Sequence, residues 1–142
     1  MNILQKIQSE LKAPKGQRNN FGNYSYRSAE DILTAVKPIL EKYSSALVSR
    51  DSLEAHGERI FVRSDAELYN EEAKLIGSST GFAEHALTKK GMDQAQITGS
   101  ASSYARKYSL NGLFAIDDTK DADATNTHGR SKSLPVVTTT EF

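Results

Sequence analysis

Positively charged and small residues share one stretch of the chain, between positions 89 and 118. Lys89 and Lys90 begin it, and Arg106 and Lys107 follow a run rich in glycine and serine. Cations neutralise phosphates, and small side chains let a sugar-phosphate backbone approach closely, so the stretch predicts binding of a nucleic acid. Close packing against another element would explain the same small residues. At 100° per residue, one side of a helix here carries Gly99, Ser102, Ser103, Arg106 and Lys107.

A second stretch, residues 12–27, is predicted to be a loop and interleaves basic and aromatic side chains. In single-strand binding proteins, cations follow the phosphates while rings stack on bases, at about 1–3 kcal/mol per base. A solvated basic loop whose rings pack on the core is the alternative. The cations and rings are Lys12, Lys15, Arg18, Arg27, Phe21, Tyr24 and Tyr26. The residues predicted to bind DNA in the two stretches are Lys15, Arg18, Tyr24, Tyr26, Arg27, Lys89, Lys90, Ser103, Arg106 and Lys107.

Four aspartates at and just after the end of the first stretch suggest a different chemistry. Clustered carboxylates bind Mg²⁺ or Ca²⁺, so a metal-dependent nuclease is the rival prediction from the enzyme class. However, the run lacks the glycine of a calcium loop, and no histidine is spaced with it for zinc. A solvated acidic edge explains it as well, and we predict no metal site. The four are Asp117, Asp118, Asp121 and Asp123.

Motifs of catalysis are missing from the sequence. No G-x-x-x-x-G-K-[ST] loop occurs, which argues against an ATP-driven recombinase. The chain has no cysteine, its three histidines are scattered, and no serine has a visible base and acid beside it. We therefore predict a protein that is not an enzyme, with no catalytic residue and no cofactor. A protein-interaction module that uses the aromatic residues of 12–27 is the second alternative.

The charges are distributed unevenly, although the net charge of the 142 residues is zero. Residues 1–27 hold five bases and one acid, and residues 86–112 hold four bases and one acid. Residues 28–85 hold six bases and eleven acids. Phosphate attraction depends on local patches within a Debye length, so the two basic stretches remain compatible with nucleic acid.

Positions 93–112 are predicted to form the helix that carries the first stretch. Asp93 is the N-cap and Gln96 completes a capping box, while Gly112 is predicted as the C-terminal stop. The predicted buried stripe is Ile97, Ala101, Tyr104 and Tyr108. Arg106 points nearly opposite that stripe, which favours a phosphate contact. The alternative pairs Arg106 with an acid of residues 28–85 or with the aspartate cluster.

The remaining pattern predicts an α+β fold, an antiparallel β-meander in a β-β-β-α core with flanking helices. Residues 3–11 form an amphipathic helix, and a second helix begins after the Ser28 cap with Asp31. Period-two alternation predicts strands near 46–54, 60–69 and 73–82, and a loop over 83–90. We expect one domain over residues 1–123 and a disordered tail over 124–142.

Two blocks of the sequence resemble the essential recombination function (Erf) family of phage single-strand annealing proteins. One contains KKGMDQAQ followed by GSASSYARKYSLNGLFAIDD, and the other is YSYRSAEDILTAVKPIL. The resemblance covers roughly residues 1–120. It implies ATP-independent binding of single-stranded DNA, annealing of complementary strands and assembly into homo-oligomeric rings or filaments. It also implies a curled antiparallel sheet backed by a helix, as in the strand-annealing mediator superfamily.

The resemblance also sets the expected partners and location. We expect single-stranded DNA, further copies of the chain and, as a candidate, a single-strand binding protein, in phage recombination and DNA repair. No window approaches 18 apolar residues, and the first eleven residues are no secretory signal. We therefore expect no membrane partner and a location in the cytoplasm of the bacterial host.

Overall fold

The computed structural model describes residues 1–117, and it confirms the predicted α+β class with an antiparallel meander. The predicted tail at 124–142, the domain boundary at 123 and three of the four clustered aspartates lie outside the described residues. In chain order the elements are α1 (Ile3–Glu10), β1 (Gln17–Asn19), β2 (Tyr24–Tyr26), α2 (Ala29–Lys42), β3 (Ala46–His56), β4 (Arg59–Tyr69), β5 (Leu75–His85) and α3 (Gln94–Phe114).

The main sheet has the order β3-β4-β5, with both pairs antiparallel. As the alternation predicts, β4 buries one face, which carries Val62, Ser64, Ala66 and Leu68. The strands are longer than predicted. β5 continues to His85 because it keeps pairing with β4 as far as Ile60, so the predicted loop over 83–90 is wrong for its first three residues.

Helix α3 lies across the buried face of the sheet and approaches it closely. A Cβ atom on Gly81 of β5 would overlap the carbonyl oxygen of Ala105, and one on Gly112 would overlap the hydroxyl of Ser79. Close packing therefore accounts for part of the small-residue content of α3. Gly99 differs, because a Cβ built on it meets nothing within 4 Å.

The buried side of α3 differs from the predicted stripe. Ala105 is fully buried, whereas Tyr104 and Tyr108 are 49% and 47% exposed, so the prediction is wrong for both tyrosines. Two physical reasons explain this. The short distance between helix and sheet admits alanine and serine but excludes a ring. Positions four apart also drift by about 40° per step along a helix, so the buried side turns from the sheet toward the other helices. Its members are Ile97, Ala101, Ala105, Ser109, Leu110, Leu113 and Phe114.

The ends of α3 are set by capping. Asp93 and Gln96 form the predicted capping box, with the Gln96 N–H donating to Asp93 Oδ1 at 2.9 Å. The predicted stop at Gly112 is wrong. The helix continues to Phe114 and ends at Ala115, which takes the left-handed conformation with φ 57°. Gly112 is needed inside the helix because Ser79 lies against it.

Helices α1 and α2 pack on the C-terminal half of α3. The predicted capping box of Ser28 and Asp31 starts α2. The core that the three helices share with β4 includes Ile7, Ile32, Val36, Leu40, Leu68, Leu110, Leu113 and Phe114. In the described part of the chain, no helix is long and apolar enough to cross a membrane.

Residues 12–27, named the arm below, form a small hairpin instead of the predicted loop. Strands β1 and β2 pair from Gln17 with Tyr26 to Asn19 with Tyr24. The Asn19 side chain closes the turn, because its Oδ1 accepts from the N–H groups of Phe21 and Gly22, each at 3.0 Å. Hydrogen bonds within the arm thus give this short basic segment a defined shape.

Candidate nucleic-acid interface

The arm is tied to the body of the protein at its base. Arg27 Nε donates to the carbonyl of Ala13 at 2.6 Å and so closes the base of the arm on itself. The N–H groups of Gly16 and Ser28 donate to Asp31 Oδ2 at 3.2 and 2.9 Å. Burial raises the pKa of Asp31, but these backbone hydrogen bonds, together with side-chain hydrogen bonds from Ser28 and Gln17, outweigh it and hold the pKa below its usual range. The Asp31 carboxylate therefore fixes the arm to the start of α2.

The base of the arm and the middle of α3 enclose a cleft of about 150 Å³, named the Lys107 cleft. Lys107 Nζ lies 5.6 Å from the centroid of the Tyr26 ring, a cation–π distance. The Tyr24 ring lies 6.1 Å from that of Tyr26. The residues that line the cleft are Tyr26, Arg27, Ser28, Ala29, Ser103, Tyr104 and Lys107.

The cleft brings together predicted residues that are far apart in the sequence. Tyr26 and Arg27 come from the aromatic and basic arm, and Ser103 and Lys107 come from the small basic side of α3. A ring, two cations and a hydroxyl therefore face one opening. This set can hold a phosphate and contact a base or sugar at the same time.

Lys89 lines a second and larger cleft of about 500 Å³, named the Lys89 cleft. It lies between the end of β5 and the first half of α3, and Lys90 is exposed beside Lys89. One acid, Glu84, also lines it. Arg59 donates two hydrogen bonds to that carboxylate, at 2.8 and 3.1 Å, and so lowers the pKa of Glu84. The charge of the acid is thus partnered by an arginine.

Arg106 lies on the side of α3 that faces strand β3. Its Nη2 lies 3.3 Å from Asp51 Oδ2, and the Ser102 hydroxyl donates to the same carboxylate. Asp51 belongs to residues 28–85, so the structure shows the ion pair that the sequence left open as an alternative. A phosphate contact by Arg106 stays a prediction, and the observed contacts connect α3 to the edge strand of the sheet.

The other predicted residues lie along the arm. Arg18 is exposed and donates to the Asn23 side chain across the turn, and Lys15 is half-buried near the base. At the tip, Phe21 is fully exposed. Lys15, Arg18 and Lys90 therefore lie outside the two clefts.

Tyr104 belongs to the candidate interface but was not among the residues predicted from the sequence. It lines both clefts, between Lys107 on one side and Lys89 on the other. The sequence contained a signal for its exposure. Ile97, Ala101 and Ala105 are spaced by four residues and form a second possible buried stripe, made of smaller side chains. Hydrophobicity alone favoured the larger Tyr104.

The described residues include one member of the aspartate cluster, Asp117. Among residues 1–117, no group of three or more histidine, cysteine, aspartate or glutamate side chains is placed to hold a metal ion. The nuclease alternative would depend on Asp118, Asp121 and Asp123, which lie outside that range.

Comparison with known proteins identifies a family and a relative. The sequence model of the ERF superfamily matches residues 2–140. The essential recombination function protein of Salmonella phage P22 is 45% identical over 136 residues, which are 96% of this chain and 64% of the phage protein. The chain thus spans less than two thirds of the length of this relative.

Proposed function

The chain belongs to the ERF superfamily, and on that premise we propose that it is a recombination protein which binds single-stranded DNA and anneals complementary strands without ATP. The proposal makes it a binding protein and not an enzyme. It acts as a homo-oligomer in the cytoplasm of a bacterial host, with a single-strand binding protein as a candidate partner.

The observation that carries the proposal is the Lys107 cleft. Residues 26 and 107 are separated by most of the folded chain, yet their side chains are in cation–π contact. A purely solvated arm would not need to dock against the basic side of α3. The docking concentrates cations and rings from both basic stretches at one opening, which suits a strand of phosphates and unpaired bases.

The charge and the small residues around the cleft support the same ligand. The stretch between Glu10 and Glu30 contains four cations and no acid. On α3, Gly99 and Ser103 are exposed, and Gly99 has open space around it. A helix tolerates an exposed glycine at a cost of about 1 kcal/mol relative to alanine, and close approach of a ligand backbone is a reason to keep it.

The test is an annealing assay with labelled complementary strands, without ATP, in EDTA and in Mg²⁺. We expect duplex to form faster with protein than without it in both buffers, because base pairing supplies the driving force. A strict requirement for ATP contradicts the proposal. Shortened strands in Mg²⁺ would support the nuclease, and unchanged strands would support the interaction module.

A further inference from the structure

Two tyrosines one turn apart on α3 form an exposed aromatic pair. Their ring centroids lie 6.4 Å apart, and the ring planes are inclined by 32°. Tyr104 and Tyr108 are each about half-exposed, although they lie on a helix whose neighbouring positions Ala101 and Ala105 are buried. The sheet beneath the helix leaves these rings on the surface.

The pair lies between two cations. Tyr104 is the wall that the Lys107 cleft and the Lys89 cleft share, and Tyr108 lines the second cleft. Small hydroxyl residues accompany the rings, Ser103 in the first cleft and Ser100 in the second. Along this surface, Lys107 is therefore followed by the two tyrosine rings and then by Lys89.

We propose that Tyr104 and Tyr108 form a base-stacking step, over which one DNA strand passes from the Lys107 cleft to the Lys89 cleft. The inference rests on the proposed function and adds to it the surface that holds the bases. The lysines neutralise phosphates on either side of the pair, and the tyrosine rings stack on unpaired bases. Stacking tolerates every base, since each has a π-face.

Charge favours nucleic acid over other occupants of this surface. Lys89 and Lys107 face the two clefts, and the acid at the Lys89 cleft, Glu84, is bound by Arg59. A second copy of the chain is the competing occupant, because exposed rings also serve protein interfaces. The experiment separates the two.

Because the chain contains no tryptophan, Tyr104→Trp would introduce a single tryptophan, whose emission can be excited selectively. We expect its emission to be quenched on titration with oligothymidylate, at the strand concentrations at which the anisotropy of a labelled strand rises. The matched control is Phe82→Trp, since Phe82 is exposed on the opposite face of the sheet, beside Arg63. Its emission should stay constant through the same titration.

A second pair of variants tests the energetic role of the ring. Tyr104→Phe keeps the ring, and so the stacked base, and should bind oligothymidylate more tightly than Tyr104→Leu. Tyr104→Leu should bind about five- to 150-fold more weakly, the range for loss of one stacked base. The salt dependence of binding should be unchanged in both, because no phosphate contact is removed. Circular dichroism melting confirms that each variant is folded.

The outcomes distinguish this inference from the proposed function. If strands bind and anneal but the emission of Tyr104→Trp does not change, the stacking step is overturned and the proposed function stands. If the wild type binds no single strand, both fail. If the emission changes with protein concentration before DNA is added, the rings face a second copy and the stacking step is again overturned.

Discussion

Arg106 and Lys107 are adjacent in the sequence but lie in different surroundings. The Arg106 guanidinium is engaged by Asp51 and lies near the Ser102 hydroxyl, between the helix and the edge strand. The Lys107 ammonium lies over the Tyr26 ring and lines the cleft proposed to bind DNA. We therefore expect Arg106 to contribute to stability and Lys107 to contribute to DNA binding.

Alanine at each position should separate these roles. Lys107→Ala should flatten the slope of log K against log salt by about 0.7 on single strands, the effect of one lost phosphate contact. Arg106→Ala should lower the free energy of unfolding by about 1 kcal/mol, because a half-exposed charged hydrogen bond is weakened by solvent. Salt titrations and urea melts on both variants measure these quantities.

Lys74→Ala provides the control, because it removes the same charge from the exposed turn between β4 and β5. It should change neither quantity beyond experimental scatter. A flattened slope in Arg106→Ala with unchanged stability would instead show that Arg106 reaches DNA and that its pairing with Asp51 is dispensable.

Among the elements, α3 contains one glycine with open space around it and packs against another in β5. Gly99→Ala should raise the free energy of unfolding by about 1 kcal/mol, since alanine favours the helix and the new methyl group meets nothing. Gly81→Ala should lower it by about 1–3 kcal/mol, because the methyl group would force α3 away from the sheet. Denaturant melts of the two variants test the pair. Destabilisation by Gly99→Ala would mean that its surroundings are closed.

The arm should lose part of its attachment in acid. Asp31 has a pKa below its usual value, so its charge stabilises the fold above the unfolded pKa of about 3.9. That contribution is lost as the pH falls through the lower folded pKa. Asp31→Asn should therefore be less stable than the wild type at pH 7, and the difference should shrink in acid.

Urea melts between about pH 7 and pH 2.5 follow this difference. Glu30→Gln is the control, since Glu30 is an exposed acid in the same first turn of α2. It removes a charge near the helix N-terminus without touching the arm. An equal pH dependence in both variants would assign the effect to the helix dipole instead of the arm.

The sequence predicted the elements well where the signal is local. Caps at Ser28 and Asp93 and the alternation of β4 depend on neighbours a few residues away, and the structure confirms them. Two features depend on contacts between distant segments: the burial of Ala105 in place of Tyr104, and the helical position of Gly112. Periodicity contains no information about how closely α3 approaches the sheet.

For the candidate interface, the sequence likewise predicted the residues but not the contacts between distant segments. Residue types predicted DNA binding by Tyr26, Arg27, Ser103 and Lys107, and the fold places these four residues around one cleft. Their meeting could not be read from the sequence, because it depends on the docking of the arm on α3. The ion pair of Arg106 could not be predicted either. The choice between a phosphate contact and an ion pair depends on whether an acid from β3 lies close to Arg106 in the fold.

At the scale of the whole molecule, the sheet has two open edges. Strands β3 and β5 each pair on one side with β4, and within residues 1–117 neither has a partner on the other side. Unpaired strand edges are templates for association with another chain. They agree with the homo-oligomer proposed above.

We predict an assembly larger than a dimer at micromolar concentration, which light scattering can measure with and without DNA. Leu53→Lys should reduce the mass if the β3 edge takes part, because a lysine opposes edge pairing and Leu53 is 66% exposed. A monomer under all of these conditions would contradict the prediction. A smaller mass with an unchanged melting curve would locate the contact at that edge.

The position of α3 along the chain also determines when the protein acquires its stability during synthesis. The hairpins of the sheet join consecutive strands, and such local pairing forms early. The end of the sheet face that carries Val62 stays uncovered until α3 has left the ribosome, because that helix is the last described element and supplies Ala101 and Ala105 to the cluster around Val62. Nascent chains that stall before residue 94 would thus expose this apolar part of the sheet to solvent, and chaperones and proteases recognise such surfaces.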